Sequence, residues 1–129
     1  MRVARGRVDG AASEERGPTF TGRVWADPVL PMEDGIVVNN VFFEPGARTH
    51  WHTHEVAQVL HVFAGDGWLQ VRDGEGRALT AGDTAHIPAG EVHWHGALPG
   101  SYLLHLAVSV GVTDWLDEVS DSDYHVAVG

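Results

Sequence analysis

Between residue 23 and about residue 110, apolar side chains come in short runs and not at helical spacing: "IVVNNVFFE", "VAQVLHVF", "GWLQVRD", "DTAHIP", "VHWHGA" and "YLLHLAVSV". Val, Ile, Phe, Tyr and Trp fill these runs, and such residues fit a pleated, half-buried surface. The breaks read "EPGA", "AGDG", "RDGEG", "TAGD", "PAGE" and "LPGS". There Gly supplies positive φ, while Pro and Asp favour turns. Short strands with a turn signal every ~8 to 12 residues predict an all-β sandwich or barrel.

Both ends of the chain depart from this pattern. Residues 1–22 are polar, small and Gly-containing, which predicts a mobile arm with one edge strand at "RVARGRV". In "TDWLDEVSDSDYH" an acid cap at Asp114 precedes apolar residues at 115, 116 and 119, the pattern of a short amphipathic helix on the outside of the barrel. The expected organisation is an arm at 1–22, a barrel at 23–112, and a helix with tail at 113–129.

Composition narrows the classes of function. The 129 residues carry 8 basic and 18 acidic side chains, a formal net charge of −10. That balance argues against nucleic acid or an anionic membrane as partner, since phosphate binding rests on Lys and Arg. No apolar run reaches the ~20 residues of a membrane span, and "MRVARGRVDGAASEERG" has no apolar core of a signal peptide, so the expected location is cytoplasmic. There is no cysteine, so a transition-metal site must use His, carboxylate or amide ligands.

Eight of the nine histidines lie between His50 and His105. Alternate residues of a strand share a face, so His52 and His54 point together, as do His93 and His95. Gln58 has the parity of His52 and His54 and rejoins them if the chain turns a corner near Glu55 and Val56. Two imidazoles held on one buried face repel when protonated and gain most by sharing a cation. Imidazole favours Zn, Cu, Fe and Ni, while an amide oxygen also accommodates Mn. His61 falls on the opposite face from Gln58, and His86 has apolar neighbours on both sides; both read as structural. Trp51 and Trp94 point away from the ligand face, toward packing between layers or at a subunit interface. Glu55 reads as an exposed turn residue, and "DGEG" at 73–76 as a hairpin turn with no phosphate role.

The spacing resembles the cupins. "GARTHWHTHEVAQVLHVFAG" follows the first cupin motif at Gly46, His52, His54 and Gly65, with Gln58 where Glu is usual. "GDTAHIPAGEVHWHGA" follows the second at Gly82, Pro88, Gly90 and His93, with Ala97 in the Asn position. The resemblance implies a double-stranded β-helix, a small jelly-roll barrel, with a metal near one mouth and a homodimeric or tetrameric assembly. "FEPGARTHWHTH", "GEVHWHG", "LHLAVS" and "DWLDEVSDSDY" resemble more closely the small bacterial cupins that include manganese-dependent (R)-selective hydroxynitrile lyases. By position, that resemblance makes His52, His54, Gln58 and His93 the metal ligands. His95 becomes an acid or base facing the open coordination positions; under a lyase reading, His105 or His50 assists it. The pocket wall then comes from Asn39, Val41 and Phe43 on one strand and from His105, Ala107 and Ser109 on another. His50 stands where those lyases carry a small residue, and Asn39 and Ser109 also differ from their pocket.

Three neutral imidazoles and a neutral amide leave a divalent ion its full charge, which favours Lewis-acid chemistry on a small-molecule substrate. Manganese is the first expectation, with Fe, Ni, Zn and Cu as alternatives. The leading expectation is lyase chemistry on a cyanohydrin or related C–C bond. The alternatives are a metal-dependent dioxygenase or oxidase, and a barrel that binds a small ligand without catalysis.

Overall fold

The computed structural model describes residues 1–129. Twelve strands and one helix follow one another: β1 (Glu14–Glu15), β2 (Phe20–Thr21), β3 (Val24–Glu33), β4 (Ile36–Phe43), β5 (Arg48–Thr49), β6 (His52–His54), β7 (Ala57–Val71), β8 (Gly76–Thr80), β9 (Thr84–Pro88), β10 (His93–Ala97), β11 (Leu103–Val110), β12 (Thr113–Trp115) and α1 (Asp121–Val128). All pairings are antiparallel. One sheet runs β1, β3, β4, β11 and the first half of β7, with β9 also against β7. The second takes the other half of β7 with β8 and β10, and β10 continues to β5 and β6. β2 closes onto β5 and β12 onto β6. This is the strongly curled, mostly β barrel that the alternation of residues implied.

β7 is what joins the two sheets. The sequence suggests two strands broken at "AGDG", yet residues 57–71 form one strand that bends at Gly65. Gly65 has φ +83°, and a Cβ there would lie 2.0 Å from the Tyr102 carbonyl oxygen. Only glycine allows this left-handed, close-packed corner. The Asp66 amide then donates to the Tyr102 carbonyl at 3.0 Å, so the chain changes sheet without reversing direction.

The interior core is apolar at one end: Val24, Phe43, Leu60, Val62, Leu79, Ile87 and Leu103 are all buried in one cluster. A second, smaller cluster lies outside the barrel, where Trp51 and Trp94 pack with Val119 and Tyr124 beneath α1. The Tyr124 hydroxyl donates to the Ala97 carbonyl at 2.6 Å, and the buried Arg48 guanidinium donates to the Val119 carbonyl at 2.8 Å.

Both ends of the chain differ from expectation. The helix expected from Asp114 begins instead at Asp121, with Ser120 as N-cap accepting from the Asp123 amide at 3.0 Å. Asp114 lies inside β12, because cross-strand pairing with β6 outweighs the local helix signal. The N-terminal strands fall at β1 and β2, whereas "RVARGRV" contributes only an isolated Arg5–Arg7 bridge. The sheets therefore extend past residues 23–112 at both ends.

Candidate metal centre

Register brings the histidines together. His52 and His54 lie on β6, directly opposite Trp115 and Thr113 of β12, and His93 on β10 pairs with His52. Gln58 on β7 sits opposite Ser109 of β11. All of these side chains except Thr113 and Trp115 are buried, as is His95 two residues beyond His93.

Each imidazole is anchored through Nδ1, which turns Nε2 inward. His52 Nδ1 donates to the His50 carbonyl at 2.9 Å and His93 Nδ1 to the Glu91 carbonyl at 2.8 Å. His54 Nδ1 meets the Thr113 hydroxyl at 3.2 Å, and His95 Nδ1 meets His105 Nε2 at 3.1 Å. Metal-binding histidines are held in this way, with the second nitrogen fixing tautomer and ring direction. The inward Nε2 atoms of His54 and His95 are buried with no hydrogen-bond partner. Ligand-capable nitrogens of His52, His93 and His95 all lie within 4.8 Å of one another. His54 completes the group from its edge, its ring 5.0 Å from that of His52 and 5.5 Å from that of His93.

Gln58 places an amide oxygen beside these nitrogens. Its amide nitrogen donates to Ser109 Oγ at 3.1 Å, which leaves Oε1 facing His93 Nε2 at 3.1 Å. His93 Nδ1 already carries the proton that goes to Glu91, so Nε2 of the neutral ring is a bare lone pair. Two acceptors face each other at hydrogen-bond distance, an arrangement relieved by a shared cation. Protonating His93 is opposed by burial, which lowers its pKa to about 4. Burial likewise lowers His105 to about 4. Burial first, and neighbouring imidazoles second, hold His52 and His95 well below the usual histidine range, and burial lowers His54. Neutral, inward-facing, partnerless nitrogens beside an amide oxygen are the donor set of a divalent transition metal, so these residues fit the metal.

The centre opens on a cavity of about 380 Å³, within the range of small-molecule sites. Asn39, Val41, Ala107 and Ser109 line it. Phe43 does not: it is fully buried beneath the site, its ring 5.8 Å from that of His95 and 5.2 Å from that of His105. His105 is also fully buried and stands behind His95, off the cavity wall. His50 is half-buried and does not line the cavity either. The chain leaves strand geometry between β5 and β6, so the parity counted from His52 fails there, and His50 serves the site through its carbonyl. Its imidazole lies on the side of Asp117, whose carboxyl is lowered chiefly by a hydrogen bond from Arg72. His61 bonds Thr84 at 2.8 Å and His86 is exposed, both away from the centre. Glu55 is exposed and accepts from the Val112 amide at 3.2 Å.

Sequence reasoning missed the rim. Residues 16–20 and Thr113 and Trp115 close the mouth, with the Trp115 ring tilted against that of His52 at 4.6 Å and against that of Phe20 at 5.5 Å. Nothing local in "ERGPTF" or "VTDW" marks these residues; only the pairing of β2 with β5 and of β12 with the histidine-bearing β6 places them.

A cupin-domain family model matches residues 39–106. The chain is 41% identical over 123 residues to an (R)-mandelonitrile lyase of Granulicella tundricola, covering 89% of this chain and 94% of that protein. Among solved structures, a cupin-like protein of Thermotoga maritima superposes with a TM-score of 0.84 at 39% identity, over 92% of this chain and 96% of that one. A polyketide cyclase of Streptomyces resistomycificus superposes with a TM-score of 0.72 at 22% identity, over 97% and 92% of the two chains, a likeness of fold alone.

Proposed function

This chain belongs to the cupin family, and from that premise we propose that it is a metal-dependent lyase that breaks or forms the C–C bond between cyanide and a carbonyl carbon. The carrying observation is the convergence of neutral, anchored imidazoles and the Gln58 oxygen on one buried cavity wall. The 41% identity to a mandelonitrile lyase favours this reading over an oxygenase built on the same ligands.

His52, His54, Gln58 and His93 hold the ion, manganese first among the candidates. When bound, it supplies Lewis acidity that no anionic ligand offsets. His95 Nε2, buried and without a partner, is the general base that removes the substrate hydroxyl proton. As that O–H bond breaks, the oxygen lone pair forms the carbonyl and the C–CN bond electrons leave with cyanide. The proton then passes from His95 to cyanide, which departs as HCN. Burial first, and the neighbouring imidazoles second, keep the His95 ring neutral, so Nε2 retains its lone pair near neutral pH. His105 touches His95 Nδ1 and nothing in the cavity; it is a positioning residue that sets the His95 tautomer. Asn39, Val41 and Ala107 shape the space around the reacting carbon.

The test is benzaldehyde release from mandelonitrile at mildly acidic pH by protein loaded with manganese. Release well above that of the metal-stripped protein supports the reading, and equal rates sink it.

A further inference from the structure

Every basic side chain in this chain is an arginine, eight in all, set against 18 acids. Six of them hold a carboxylate: Arg2 with Glu33, Arg7 with Asp27, Arg23 with Glu15, Arg48 with Asp121, Arg72 with Asp117 and Arg77 with Glu75. Arg5 and Arg16 do not. Arg5 is exposed on the N-terminal segment, whereas Arg16 is half-buried and lines the mouth of the metal-centre cavity. Its backbone is pinned there, since the Arg16 amide donates to the Val24 carbonyl at 2.7 Å. A half-buried arginine with neither ion pair nor side-chain hydrogen bond stands out in a chain with a surplus of acids.

The cavity itself is the second observation. No Asp or Glu lines it. Four other cavities each have at least one: Glu75, Asp83 and Glu91 in the groove by β8 and β9; Asp9 beside the N-terminal segment; Asp27 beneath Trp25; and Asp73, Asp117 and Asp123 near α1. On a strongly acidic molecule, this recess is free of negative charge and has a cation at its entrance. An anion entering it meets no like charge, and the planar guanidinium offers paired donors suited to a carboxylate.

We propose that Arg16 is a specificity-determining residue that binds a substrate carboxylate, and that the site takes small organic acids bearing a hydroxyl or carbonyl group. The carboxylate lies at Arg16 and the oxygen-bearing carbon at the histidine end. Only the chemistry assigned to that second end rests on the lyase reading, which would make the substrate the cyanohydrin of an oxo acid. The rim aromatics Phe20 and Trp115 flank the entrance and cover the apolar part of such a molecule.

Calorimetric titration of the full-length, manganese-loaded protein with (R)-mandelate and (R)-mandelamide tests the charge alone, since the two probes have nearly the same shape. The wild type is expected to bind mandelate more tightly than mandelamide. In Arg16→Gln, mandelate affinity falls about tenfold or more while mandelamide stays within about twofold, and Arg16→Lys recovers much of the loss. Quenching of tryptophan fluorescence in metal-stripped protein gives the same order and separates Arg16 from any carboxylate contact to the metal. Unchanged mandelate affinity in Arg16→Gln, equal loss for both probes, or no mandelate binding by the wild type would overturn the assignment. Mandelonitrile cleavage by the wild type scores the lyase reading separately. Arg16-dependent mandelate binding without cleavage removes the lyase reading alone. Cleavage with Arg16-independent binding removes the carboxylate assignment alone.

Discussion

The two ends of the barrel interior are made from the same strands and finished in opposite ways. At one end β4, β7 and β11 turn inward Phe43, Leu60, Val62 and Leu103, all fully buried and close-packed. A few residues along, with unchanged parity, they turn inward Asn39, Gln58 and Ser109, joined by the histidines of β6 and β10. The apolar end stabilises the fold by burying hydrocarbon at about 25 cal/mol per Å². The polar end works against it, because buried imidazoles must stay neutral and three of their nitrogens find no partner. One half of the interior holds the frame that the other half strains.

The sharpest way to break this comparison is at the polar end. His52→Ala should leave a folded protein that retains almost no metal by elemental analysis and has lost activity on mandelonitrile; full metal retention would refute the ligand assignment. Removing His95 should separate base from ligand. His95→Ala is expected to keep its metal and lose about 10²- to 10⁴-fold in kcat, whereas His54→Ala loses metal. The reverse pattern would make His95 the ligand, as its closeness to His52 and His93 allows. At the apolar end, Leu60→Ala should cost ~2–5 kcal/mol in denaturant unfolding and leave the metal stoichiometry intact. Ser109→Ala releases the Gln58 amide, and metal affinity should drop about 10- to 100-fold by competitive chelator titration.

The smallest effect is expected with pH. The buried histidines have folded pKa values below the ordinary 6.5, two of them about 4. Below 6.5 the unfolded chain therefore binds more protons than the folded one, and stability falls as the pH is lowered. Metal-stripped protein should show a flat Tm above about pH 7 and a Tm lower by roughly 5 °C or more at pH 5. A Tm that rises on acidification would mean the histidines are charged in the folded state.

Much of this was legible in the residues themselves. Alternation along "HTH" and "HWH" gave the shared face of each pair, and the parity of Gln58 carried it to the same wall. β-branched and aromatic runs marked β4, β10 and β11. What could not be read was set by distant backbone. Gly65 signals a break, and only the Tyr102 carbonyl packed against it turns the break into a corner within one strand. Asp114 and Ser120 are both able to cap a helix, and the choice fell to Ser120 because Thr113 and Trp115 face His54 and His52 across β12. His50 lost its inward direction where the strand is interrupted, and His105 and Phe43 became supports behind His95.

The rim has a separate consequence. The proposed ligands all come from β6, β7 and β10, inside the stretch 39–106 that the family model covers, while residues 16–20, Thr113 and Trp115 at the mouth lie outside it. The proposed ligands and the entrance thus sit on separate stretches of the chain. Exchanging two short peripheral segments between relatives could redirect which molecules are admitted while leaving the ion and its chemistry in place, a route by which one barrel acquires new substrates in evolution or in the laboratory.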